Sequence, residues 1–135
     1  MERPTTVWTF CKSVKSLNED YVVIGEVWED ATNKISHGGR RKYLLGEQLD
    51  SVMNYPLRSA LIDFIMRHID AKTFSRRIMS LKENYPAPAF YSLFNFLSSH
   101  DTERILTVLG GKTYSNKDEE CRARLSDDEK RQAKA

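Results

Sequence analysis

The chain has 135 residues, 40% of them hydrophobic and 30% charged, with a net charge of +2. That length fits one domain with a real core. Acids and bases are interspersed, so neither a nucleic acid nor a membrane surface is expected as a partner. The apolar runs are a few residues long, far short of a membrane span. Met1-Glu2-Arg3-Pro4 opens no signal-type hydrophobic stretch. A soluble, cytoplasmic protein is the expectation. Cys11 and Cys121 lie far apart with no metal-ligand spacing, and reduced structural thiols are expected.

Val7, Phe10, Cys11, Val14 and Leu17 recur at helical spacing, which predicts an amphipathic helix ending near Asn18. Tyr21-Val22-Val23-Ile24 follows without alternation, as in a strand buried on both faces of a parallel sheet. It stops at Gly25-Glu26-Val27-Trp28-Glu29-Asp30. Thr32 to Arg41 is polar, broken by Gly38-Gly39, and reads as a loop. Leu49 to Asn54 predicts a second strand, and Pro56 suits the first turn of a helix carrying Leu57, Leu61, Ile62, Phe64 and Ile65. Asp70 is a candidate cap for another helix, with Phe74, Ile78 and Leu81 on its apolar side. Pro86-Ala87-Pro88 ends that helix.

A third strand is predicted near Phe94-Asn95-Phe96-Leu97, emptying into Ser98-Ser99-His100-Asp101-Thr102. Glu103 to Leu109 reads as a short helix closed by Gly110-Gly111. Ser126 and Glu129 form a capping box for a last helix that runs to Ala135. Helices alternating with strands predict βα units and a parallel sheet, with function at the carboxyl ends of the strands. Those ends carry Glu26, Asp50 and His100-Asp101.

Each candidate has two readings. Glu26 beside Trp28 is a partly desolvated general acid, or simply a solvated strand-end glutamate. His100-Asp101 binds sugar hydroxyls and stabilises positive charge, or Asp101 or Thr102 caps the helix starting at Glu103. His37, His68 and His100 share no ligand spacing, so no metal and no cofactor is expected. His68 falls on the polar side of its helix. Tyr85, Phe90, Tyr91, Phe94 and Phe96 read as core rather than as a sugar platform. No nucleophile elbow or phosphate-cradling loop occurs.

Val23-Ile24-Gly25-Glu26-Val27-Trp28 resembles the strand-five motif of the α-amylase family, and Ser98-Ser99-His100-Asp101-Thr102 its strand-seven motif. Leu49 to Arg58 resembles the strand-six segment of the neopullulanase, cyclomaltodextrinase and maltogenic amylase group, as does Thr102 to Gly111 for the stretch after strand seven. The resemblance implies an α/β fold: a partial (β/α)8 TIM barrel of about three parallel strands with flanking helices. Residues 1–135 would then be a C-terminal-half fragment of the catalytic barrel, with strands four and eight absent. No Arg-x-Asp triplet, the strand-four nucleophile motif, stands ahead of Glu26.

By the same resemblance, Glu26 is the acid/base, Asp101 stabilises the transition state, and His100 and Trp28 bind substrate. Asp50 and Arg58 are expected to be structural or to support the site from behind it, not to act in it. The implied substrate is an α-glucan oligosaccharide from starch, pullulan or cyclodextrin, joined by α-1,4 and, as an open alternative, α-1,6 bonds. Without the nucleophile the chain alone is expected to be inactive, and its exposed barrel edges to self-associate. The competing expectation is a non-catalytic glucan-binding or protein-interaction module on a barrel remnant.

Overall fold

The computed structural model describes residues 6–36, 38–46 and 48–134, so His37 and Ala135 lie outside the described residues. Helix α1 (Thr6–Leu17) forms as its spacing predicts. Its apolar stripe is only partly covered: Cys11 is buried, whereas Phe10 and Leu17 stay exposed.

Strand β1 (Ile24–Gly25) begins later than the apolar run, and the expectation of burial on both faces is not met. Tyr21, Val22 and Ile24 are exposed, because β1 has a neighbour along one edge. The expected loop contains a small antiparallel hairpin, β2 (Ile35–Ser36) with β3 (Gly39–Arg40). A tight turn through Gly38 at φ 79° lets it close, a conformation that favours glycine.

β4 (Ser51–Val52) lies parallel to β1, with Ile24 opposite Ser51 and Gly25 opposite Val52. Asp50 N donates to Val23 O at 3.0 Å and Met53 N to Gly25 O at 2.9 Å. Gly25 makes room for Leu49: a Cβ there would sit 2.3 Å from Leu49 Cδ1, and that side chain would have to shift. The third predicted strand is reduced to one parallel bridge between Met53 and Phe94. Phe94 N reaches Val52 O at 3.1 Å and Asn54 N reaches Phe94 O at 2.9 Å, and the ladder goes no further. The three rows nevertheless run parallel in chain order, as successive strands of a barrel do.

α2 (Tyr55–Ile65) carries Pro56 in its first turn and is capped by Asn54, whose Oδ1 accepts from Leu57 N at 3.1 Å. α3 (Ala71–Asn84) is capped by Asp70, as expected, and packs on α2 with Phe64 and Phe74 stacked 4.9 Å apart. Pro86-Ala87-Pro88 ends α3 but opens α4 (Ala87–Tyr91), since proline is tolerated in a first turn. The core lies where these elements meet: Val27, Ala31, Leu44, Val52, Leu81, Tyr85 and Ala89.

The last third is helical. α5 (Ile105–Leu109) ends at Gly110, and α6 (Lys117–Arg122) is a helix the apolar spacing did not announce. Asn116 caps α6, and buried Glu120 accepts from Arg104 N at 2.8 Å, tying α6 to the start of α5. α7 (Asp127–Lys134) has the expected capping box, Ser126 N to Glu129 Oε2 at 2.8 Å and Glu129 N to Ser126 Oγ at 3.3 Å. Both cysteines are free; Cys11 is buried but Cys121 is exposed, so only the first fits a structural thiol. No described helix is long and apolar enough to cross a membrane.

Candidate active site

The sheet rows end at one side of the molecule, and the side chains that follow them gather there. Glu26 comes directly after β1. It is exposed, which fits the reading of a solvated strand-end glutamate and not that of a partly desolvated one. Its carboxylate is nonetheless held: Oε1 accepts from Trp28 Nε1 at 3.0 Å and from the Tyr55 hydroxyl at 2.9 Å. Trp28 lies stacked on Tyr55, ring centroids 4.3 Å apart and planes 19° from parallel. Phe96 meets the same tyrosine edge-on at 4.8 Å.

Tyr55 follows the middle strand and is the residue that sequence reasoning missed as part of this site. The available signal was its position, three residues past the carboxyl end of β4. It is 3% exposed. Burial, and next the hydrogen bond to Glu26, push its phenol above the ordinary 10, with a hydrogen bond to Ser99 opposing them. The negative charge of Asp101 acts on it in the same direction as Glu26. Tyr55 therefore lies between the carboxylate after β1 and the turn after the third row.

That turn is built by its own side chains. Ser99 N donates to Thr102 Oγ1 at 2.9 Å, and Asp101 N donates to Ser99 Oγ at 3.2 Å. Neither Asp101 nor Thr102 caps the helix: it starts at Ile105, two residues later than that reading had it, after Arg104 with no side-chain cap, and the Ser98 hydroxyl accepts from Ile105 N at 2.8 Å. Asp101 is thus left free of backbone work and pairs with His100, Nε2 to Oδ2 at 2.9 Å. His100 projects outward with its side chain 89% exposed, and Lys117 Nζ donates to its carbonyl oxygen.

The neighbouring acids have structural partners. Asp50 accepts from Val23 N at 2.7 Å and pairs with Lys15 at 2.9 Å, and Arg58 Nε donates to Leu97 O at 2.9 Å. Asp30 receives Thr32 N and Asn84 Nδ2, and Glu29 pairs with Lys34. His68 is exposed beside Asp63. The reading of the aromatics as core holds for Tyr85 but not for Tyr91 or Phe94, which are exposed. Among the described residues, no group of three His, Cys, Asp or Glu side chains is placed to hold a metal. A cavity of about 650 Å³ lies at the opposite ends of the strands, lined by Trp8, Cys11, Lys15, Leu44, Leu49 and Pro88 among others.

The arrangement is a hydrogen-bonded carboxylate walled by an indole, with a second carboxylate and an imidazole on the following turn. It can move protons and bind hydroxyl-rich ligands. Residues 3–126 match the α-amylase catalytic domain. Neopullulanase 2 of Thermoactinomyces vulgaris is 42% identical over 103 residues, which cover 76% of this chain and 16% of that protein. A cyclomaltodextrinase of Geobacillus thermopakistaniensis is 40% identical, with the same two shares. The chain therefore spans about a sixth of the length of these curated relatives. A cyclic α-maltosyl-(1→6)-maltose hydrolase from Arthrobacter globiformis superposes with a TM-score of 0.67 at 30% identity, covering 78% of this chain and 22% of that one. That hydrolase has also been solved with maltose bound. This chain belongs to the α-amylase family of glycoside hydrolases.

Proposed function

We propose that the chain is the strand-five-to-seven portion of a retaining α-glucan hydrolase barrel, with Glu26 as its acid/base. The observation that carries this reading is the Glu26 carboxylate, held by Trp28 and Tyr55 at the strand ends of an α-amylase-family chain. Glu26 protonates the glycosidic oxygen as the bond to the leaving sugar breaks, then takes a proton from the attacking water. Asp101 favours the oxocarbenium-like transition state by its charge. His100 holds a sugar hydroxyl, and Trp28 walls a subsite. The substrate is an α-1,4-linked glucan or cyclodextrin, with α-1,6 links as the alternative, in keeping with the names of the relatives.

A retaining mechanism needs a second carboxylate about 5 Å from the first, on the other side of the scissile bond. These 135 residues hold no Arg-x-Asp triplet ahead of Glu26 to supply it. Removing one member of a catalytic set costs about four to six orders of magnitude where that has been dissected. The 135-residue chain alone is therefore inactive. Purified chain and Glu26→Gln are assayed side by side on a chromogenic maltooligosaccharide. No mutant-sensitive turnover is expected; turnover abolished by the substitution overturns the inactivity. Co-expression with the remaining strands of a cyclomaltodextrinase tests Glu26 itself: restored activity that survives Glu26→Gln sinks the acid/base role.

The same reading concerns assembly. Tyr21, Val22 and Ile24 are exposed at and just before β1, and Phe94 and Leu97 at the other edge of the sheet. Unpaired strand edges with apolar side chains associate. Light scattering across micromolar concentrations is expected to show a mass that rises with concentration, and a constant monomer mass contradicts it.

A further inference from the structure

The two donors on Glu26 share one oxygen. Trp28 Nε1 and the Tyr55 hydroxyl both reach Oε1, and no donor from the described residues reaches Oε2. An oxygen that already accepts two hydrogen bonds is the poorer place for a proton, so the proton of a neutral Glu26 belongs on Oε2. Which way Oε2 faces is decided by whatever fixes Oε1.

Trp28 is a weak anchor by itself: it is 54% exposed, and its ring rests on Tyr55. Tyr55 is a strong one. It is 3% exposed, held between Trp28 and Phe96, and its backbone opens α2 directly after capping Asn54 and before Pro56. We propose that Tyr55 is a positioning residue, whose hydroxyl holds Glu26 in one rotamer with Oε2 turned to the glycosidic oxygen. The proposal rests on the acid/base reading of Glu26. A phenol is protonated at neutral pH, and the surroundings of this one raise it further, so it stays a donor and the hold does not lapse as Glu26 cycles. Tyr55 sets the tryptophan as well, so one side chain governs both donors.

Tyr55→Phe removes the hydroxyl and keeps the ring on which Trp28 stacks. In side-chain NMR of the 135-residue chain, Glu26 is expected to show the methylene couplings of one dominant rotamer. In Tyr55→Phe those couplings average over two or more rotamers while Trp28-to-ring contacts persist. Equal couplings in both chains overturn the proposal, because packing alone would then hold Glu26. A second measurement needs no change at the buried ring. With ¹³C-labelled tyrosine, the titration midpoint of Tyr55 falls in Glu26→Gln, and an unchanged midpoint overturns the contact, even where Tyr55→Phe does not fold. Neither readout measures turnover. A surviving contact with Glu26-independent activity in the co-expressed barrel condemns the acid/base reading, and a lost contact with Glu26-dependent activity condemns only the role of Tyr55.

Discussion

Tyr85→Phe isolates one hydrogen bond in the core. The hydroxyl of Tyr85 accepts from Ala31 N at 3.0 Å, and the two residues are 5% and 1% exposed. The bond ties the loop after Glu26 to the end of α3, across 54 residues of chain. Phenylalanine keeps the ring in the core cluster that holds Leu81 and Val52, and leaves the amide of Ala31 without its acceptor in a dry place. An orphaned buried donor costs about 1–3 kcal/mol. With a urea slope of about 1–3 kcal/mol per molar for a small protein, the unfolding midpoint falls by about 1 M and the slope is unchanged. Circular dichroism in urea at low protein concentration measures it, with Tyr91→Phe as the control, because Tyr91 is 77% exposed. If Tyr85→Phe unfolds at the same urea concentration as the control, the Ala31 amide was never dependent on Tyr85, and the account of this junction is wrong.

Glu129 supplies a pH test. The hydrogen bond from Lys112, followed by the backbone N–H of Ser126, draws its carboxyl from 4.5 to about 2. A depressed carboxyl stabilises above its unfolded value, so its hold on α7 is complete above 4.5 and lost as the pH falls through about 2. The α7 amide resonances are expected to shift over that window in the native chain and not in Glu129→Gln; matching titrations in the two chains refute the assignment. Asn54→Ala removes both the α2 cap and a 2.9 Å hydrogen bond to Asn95 Oδ1. The cap alone is worth about 0.5–2 kcal/mol, so thermal unfolding is expected to move down in Asn54→Ala by more than in Asn95→Ala, and the reverse order would refute the cap's priority.

What could be read from the residues were the features with a local cause. Pro56, Asp70 and the Ser126–Glu129 box each act on a backbone within a turn of themselves, and α2, α3 and α7 begin where those residues put them. α6 had an equally local signal, Asn116 ahead of a first turn with three acids, but almost no apolar spacing to draw attention to it. α4 was hidden because a proline pair reads as a stop while also suiting a start. The strands were harder for a different reason. Tyr21 to Ile24 has the composition of a strand covered on both faces, but coverage is a property of neighbours, and β1 has one paired edge. Glu26 and Trp28 are two residues apart and were readable as a pair; Tyr55 meets Glu26 across 29 residues, a distance that only the register of β1 on β4 closes.

That register also explains why the middle row supplies the anchor. β4 is flanked by β1 on one side and by Phe94 on the other, and its Ser51 and Val52 are 0% and 1% exposed. β1 and the Phe94 row each lean on β4 from one side only. Glu26 and Asp101 therefore stand after edge rows, where local opening is cheapest, whereas Tyr55 stands after the row whose opening would break both ladders. A side chain that must fix another is best placed on the element that moves least. In this sheet that element is β4, which leads within three residues to Tyr55, and Tyr55 touches Glu26 directly and feels the charge of Asp101.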